Sequence, residues 1–102
     1  MIKNGMRPVH PGEVLREDYM KPLQLSSNAL AKLLRVPASR VNDIVLERRG
    51  VTADTALRLG RCFGGDAQSW LNLQSMFDLR TAEINTAESI NNEVEPLGLA
   101  SA

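Results

Sequence analysis

Residues 25–46, LSSNALAKLLRVPASRVNDIVL, constrain this chain more than any other stretch. Their spacing predicts two short helices, over about residues 27–34 and 38–46, joined by a tight turn. Leu30, Ala31 and Leu34 form one inward stripe. Val41, Ile44 and Val45 form another by recurring at i, i+3 and i+4. Two such helices in this order are the layout of a helix-turn-helix, whose second helix is shaped to lie in the DNA major groove. The stretch therefore points to a binding module rather than to an enzyme.

The flanking sequence continues in helices. Pro11 suits a first helical position, Glu13, Glu17 and Asp18 lie towards that end, and Lys21 suits the C-terminal end of the dipole. Pro22 stops this first helix or tolerates one more turn. Ser26 or Ser27 caps the second helix and Pro37 opens the third. After a polar break at Arg48, Arg49 and Gly50, Thr52 caps a fourth helix with Ala56, Leu59 and Phe63 inward, and Gly64 and Gly65 end it. Asp66 caps a fifth helix that runs to about Ile84. No segment alternates in the manner of a strand. The expectation is all-α: a five-helix domain over residues 1–87 (core 7–85), then an acidic, mobile tail over 88–102, although INTAESINNEVE can hold a frayed helix.

With 102 residues, 43% hydrophobic and 24% charged, the chain fits one domain with a modest core. No apolar run reaches the ~20 residues of a membrane span, and the N-terminus carries no apolar signal segment. With one cysteine, a cytoplasmic protein without disulfides is expected. The formal net charge is zero, but its distribution is uneven. Residues 1–80 hold all 12 Lys and Arg against 8 acids, a surplus of four, while residues 81–102 hold 4 acids and no base. A mildly basic body is compatible with phosphate binding.

On the third helix, inward Val41, Ile44 and Val45 leave Ser39, Arg40, Asn42, Asp43 and Leu46 outward or flanking. Arg suits guanine, Asn suits adenine and Ser suits either; Asp43 can accept from cytosine or act as a plain surface charge. Ser27 and Asn28 open the second helix, where free N–H groups suit phosphate, and Thr52 opens another just after Arg48 and Arg49, which can clamp the backbone. Lys3 and Arg7 can form a basic arm. On the fifth helix Trp70, Leu73 and Phe77 form one stripe, while Leu71, Met76 and Leu79 lie off it. One small domain rarely buries every face of a helix, so these three predict a homodimer surface.

The order of HPGEVLRED (10–18), LSSNALAKLLRVPASRVNDIV (25–45), RRGVTADTALRLGRCFG (48–64) and SWLNLQSMFDLRTAE (69–83) resembles the HigA antitoxins, within the lambda-repressor-like helix-turn-helix class. The resemblance implies a five-helix lambda-repressor-like fold. It also implies a toxin partner of the HigB type, an mRNA endonuclease that the antitoxin neutralises, and repression of its own operon as a dimer on palindromic operator DNA. Arg16 and Glu17 of the first helix are candidate toxin contacts, alongside the basic arm and the acidic tail. Family members often carry glycine where this chain has Arg35; either an arginine with positive φ there costs about 1 kcal/mol, or the turn differs slightly.

His10 is the single histidine and is expected to anchor the first helix. Cys62, beside Phe63, is expected to be a buried, inert thiol. One His and one Cys cannot close a zinc site, and there is no phosphate loop or nucleophile elbow, so no enzyme, metal or cofactor is expected. The alternatives are a helix-turn-helix regulator without a toxin, or a protein-interaction adaptor with little DNA binding.

Overall fold

Caps set where the helices of this chain begin, and the computed structural model, which describes residues 7–98, places each cap in the expected register. Ser26 Oγ accepts from the Ala29 N–H, Thr52 Oγ1 from Thr55 and Asp66 Oδ1 from Ser69, each satisfying a helix donor that has no intrahelical partner. His10 does the same at the first helix, its Nδ1 accepting from the Gly12 N–H at 2.8 Å.

Helix α1 joins an α turn at Pro11–Val14, a π-helical stretch at Leu15–Met20 and a last turn at Lys21–Leu23. The wide stretch ends just before Pro22, whose ring in a regular α-helix would press on the carbonyl of Asp18. The helix thus passes the proline by less than one turn, within the expected limit. Helices α2 (Ser27–Leu34) and α3 (Ala38–Val45) are the helix-turn-helix pair, followed by α4 (Ala53–Phe63) and α5 (Ala67–Glu93). All secondary structure among the described residues is helical.

Three helices end in the same way. Gln24, Arg35 and Glu47 each take the left-handed conformation, with φ of 55°, 61° and 62°. In each case its own backbone N–H and that of the next residue fold back on the helix; for α2, Arg35 N donates to Lys32 O and Val36 N to Ala31 O. This is the Schellman arrangement, ordinarily completed by glycine. The turn after α2 is therefore built in the left-handed geometry, with Arg35 in the place that favours glycine.

The core comprises Leu15, Met20, Leu30, Ala31, Leu34, Val41, Ile44, Val45, Val51, Ala56, Leu59 and Trp70. Each predicted inward stripe of α2 and α3 lies in it, and Phe63 and Leu73 pack at its margin. Tyr19 lies 4.9 Å from Phe63 and 5.3 Å from Trp70 between ring centroids, tying α1 to α4 and α5. Gly12 brings α1 against the backbone of α3: a β-carbon there would fall 1.8 Å from the Ile44 carbonyl oxygen. At Gly50 a β-carbon would meet the Gln74 amide at 2.9 Å, so the loop after α3 lies directly on α5.

Two expectations are corrected. Cys62 is exposed rather than buried. It occupies the last turn of α4 beyond Leu59 and Gly60, on the outer flank that it shares with Leu57 and Arg61. Helix α5 continues to Glu93, past Ile84, through the INTAESINNEVE stretch read as tail or frayed helix, so residues 88–93 are helical rather than tail. Ala82, Glu83, Ala87 and Glu88 are strong helix formers, and propensity extends the helix without a core to cover it. Its 27 residues span about 40 Å at 1.5 Å per residue, which gives the molecule its long dimension of 53 Å against 25 and 24 Å.

Candidate nucleic-acid interface

Helix α3 is held from behind so that its outer face stands clear. Val41, Ile44 and Val45 anchor it in the core. At its C-terminal end Arg16 of α1 donates from Nη1 to the Val45 carbonyl at 2.6 Å, taking up an acceptor that has no helical partner. With Gly12 against Ile44, α1 fixes both the depth and the direction of α3. Ser39 and Asn42 are exposed on the opposite side, with Leu46 beyond them.

The charged residues of this face are organised in two groups. In the first, Asp43 Oδ1 accepts from Arg48 at 2.9 Å, and Arg49 stands 3.8 Å from its other oxygen. Asp43 is half-buried and turned towards the two arginines, so its carboxylate is committed to holding them beside the C-terminal end of α3. In the second, Asp54 Oδ2 accepts from Arg40 Nη1 at 2.8 Å and from Arg58 Nε at 2.9 Å. Hydrogen bonds from Arg58 and then Arg40 hold the Asp54 carboxyl below its usual range. Arg58 is itself pinned, since its Nη1 donates to the Leu34 carbonyl at 2.9 Å and the Arg35 carbonyl at 3.4 Å. Four arginines against two aspartates leave the face net positive. Arg40, Arg49, Thr52 and Arg58 line a shallow cleft of about 460 Å³ at the start of α4.

The predicted residues fall on this face and around it. Ser27 and Asn28 occupy the first turn of α2, and Thr52 caps α4 with its hydroxyl oxygen engaged by the Thr55 N–H. Both helix N-termini present backbone donors of the kind that hold phosphates. Arg7 is paired with Glu13 through two bonds of 2.8 Å and lies along α1. Lys3, the other half of the expected arm, lies outside the described residues.

On α5, Met76 and Leu79 are 51% and 62% exposed, whereas Leu71 is half-buried and packs partly against the core. Of the α1 pair, Arg16 is spent on Val45, Glu17 and Glu47, while Glu17 is exposed and also accepts from Lys21. Sequence reasoning missed Asp54, Arg58 and Gln74. Gln74 Oε1 accepts from the Val51 N–H at 2.7 Å and so holds the loop that carries Arg48 and Arg49. Only the i, i+4 spacing of Asp54 and Arg58 signalled a pair; their link to Arg40 spans 14 residues.

No helix among the described residues is long and apolar enough to cross a membrane. No protein-family model matches the chain. Known proteins resemble it closely. It is 63% identical over 89 residues to virulence-associated protein I of Dichelobacter nodosus, covering 87% of this chain and 82% of that protein. The structure of the Pseudomonas aeruginosa antitoxin HigA with the higBA promoter superimposes with a TM-score of 0.86 at 50% identity, over 89% of this chain and 99% of that one. The antitoxin GraA in complex with its operator gives a TM-score of 0.86 at 50% identity, over 95% and 98%.

Proposed function

Because the chain belongs to the HigA family of antitoxins, in the lambda-repressor-like helix-turn-helix class, we propose that it represses its own operon by binding operator DNA and neutralises a HigB-like mRNA endonuclease. The observation that carries the DNA half is the outer face of α3, where Ser39 and Asn42 are exposed and Arg40 stands on Asp54 beside the start of α4. In this reading Ser39, Arg40 and Asn42 meet base edges. Ser27, Asn28, Thr52, Arg48 and Arg49 hold phosphates on either side, and Asp43 keeps the two arginines in place rather than contacting a base. A palindromic operator and a homodimer are part of this reading, supported by the family, and Met76 and Leu79 offer the exposed apolar surface for a second copy, with Leu71 at its edge.

The toxin half rests on family membership. Glu17 is the freer of the two α1 candidates, and a basic RNA-cleaving partner suits the acids of the α5 overhang. Both halves are tested separately. A gel-shift titration with the DNA directly upstream of the gene is expected to show binding that weakens steeply with salt. Copurification with the product of the adjacent gene, if that gene encodes a small basic protein, and loss of any RNA cleavage by it on mixing, tests the toxin half. DNA binding without toxin capture leaves a simple regulator, and capture without DNA binding leaves an adaptor.

A further inference from the structure

We propose that Asp54 is a positioning residue for DNA reading: it holds the Arg40 guanidinium in one pose by linking it, through Arg58, to the turn of the helix-turn-helix. The inference rests on the reading that Arg40 meets bases. The chain of bonds is continuous. The Leu34 and Arg35 carbonyls at the end of α2 accept from Arg58 Nη1, Arg58 Nε donates to Asp54 Oδ2, and that same oxygen accepts from Arg40 Nη1. It crosses from α2 to α4 to α3 and ends on the displayed face.

An isolated exposed ion pair is a loose contact that contributes little. This one differs because Arg58 is fixed on backbone, so Asp54 has a stationary partner and Arg40 a stationary anchor. Arg40 has five N–H donors, and a single bond from Nη1 leaves Nη2 and Nε for a base edge. Asp54 therefore orients Arg40 without consuming it. A guanidinium held before DNA arrives does not have to be ordered at the moment of contact, and the gain falls on the correct base alone, since only that base is matched to the pose.

The test compares affinities for the duplex directly upstream of the gene and for a shuffled duplex of the same composition. Asp54→Asn keeps the shape of the side chain and an acceptor oxygen but removes the charge that pairs with both arginines. Its preference for the upstream duplex is expected to fall about 3- to 10-fold, the range set by ordering one long side chain, while affinity for the shuffled duplex rises as a negative charge leaves the face. Arg58→Lys keeps the net charge but lacks the fork that reaches backbone and Asp54 together. It is expected to lower the preference similarly with the salt dependence unchanged. In an Arg40→Ala background neither substitution should change the preference.

If Arg40→Ala lowers the preference while Asp54→Asn and Arg58→Lys leave it intact, the reading of Arg40 stands and the positioning role is overturned. A gain of the same factor for both duplexes would also overturn it, because Asp54 would then act through charge alone. An unchanged preference in Arg40→Ala removes the reading itself, and the positioning role with it.

Discussion

Gly12 is the residue with least freedom in this chain. A β-carbon there meets the Ile44 carbonyl oxygen at 1.8 Å, and that oxygen belongs to the backbone of α3, which cannot swing aside like a side-chain tip. Gly12→Ala is expected to destabilise the fold by roughly 1–3 kcal/mol, read as a lowered midpoint in urea. His10 beside it is buried, accepts from the Gly12 N–H and packs edge-on against Phe77 at 4.8 Å. Burial lowers its pKa below 6.5, outweighing the opposing pull of Glu47 and Asp78. The folded pKa is the lower one, so the neutral form is favoured by folding. Stability from this group is complete above about pH 6.5 and is lost as pH falls below it. Urea midpoints measured from pH 7.5 to 5 should show this decline in the native chain and a smaller one in His10→Gln. Arg35, in left-handed geometry at the end of α2, leads to the opposite sign: Arg35→Gly should raise stability by up to about 1 kcal/mol.

At the scale of elements, the short helices were legible because their signals are local. Ser26, Thr52 and Asp66 cap three residues ahead, and Val41, Ile44 and Val45 mark a face by spacing alone. The end of α5 was legible only in part, as tail or frayed helix, since beyond Ile84 the helix has no core to declare it and persists on Ala and Glu propensity. The inside of the site was equally hidden. Arg16 reaches Val45 across 29 residues and Gln74 reaches Val51 across 23, and no periodicity reports such bonds. The location of Cys62 failed for a related reason: a cysteine next to an apolar Phe63 reads as core, yet α4 has by then run past the core. Because the overhang of α5 is exposed along its length, removing residues 86–102 should leave the melting temperature within about 2 °C. A larger drop would mean that the overhang packs against a second copy in solution.

The whole molecule is a basic body with an acidic projecting helix. Half of the surplus of four positive charges in residues 1–80 lies where Arg40, Arg48, Arg49 and Arg58 stand around α3 against Asp43 and Asp54, and Glu88, Glu93 and Glu95 lie at and just beyond the far end of α5. Within the proposed DNA face the arginines have different expected roles. Arg40→Ala should lose discrimination between sequences by about 5- to 100-fold while keeping most of its general affinity. Arg48→Ala should weaken binding to all sequences alike and reduce the salt slope by about one.

The central claim is sequence-specific DNA binding through α3, and a fluorescence anisotropy titration tests it most directly. The chain is titrated onto the duplex upstream of its gene and onto a shuffled duplex, from 50 to 200 mM salt. A preference of about 10³-fold or more for the upstream duplex, with affinity for both falling steeply as salt rises, is the predicted result. Equal affinity for the two duplexes, or no binding of either at micromolar protein in 50 mM salt, would contradict the account.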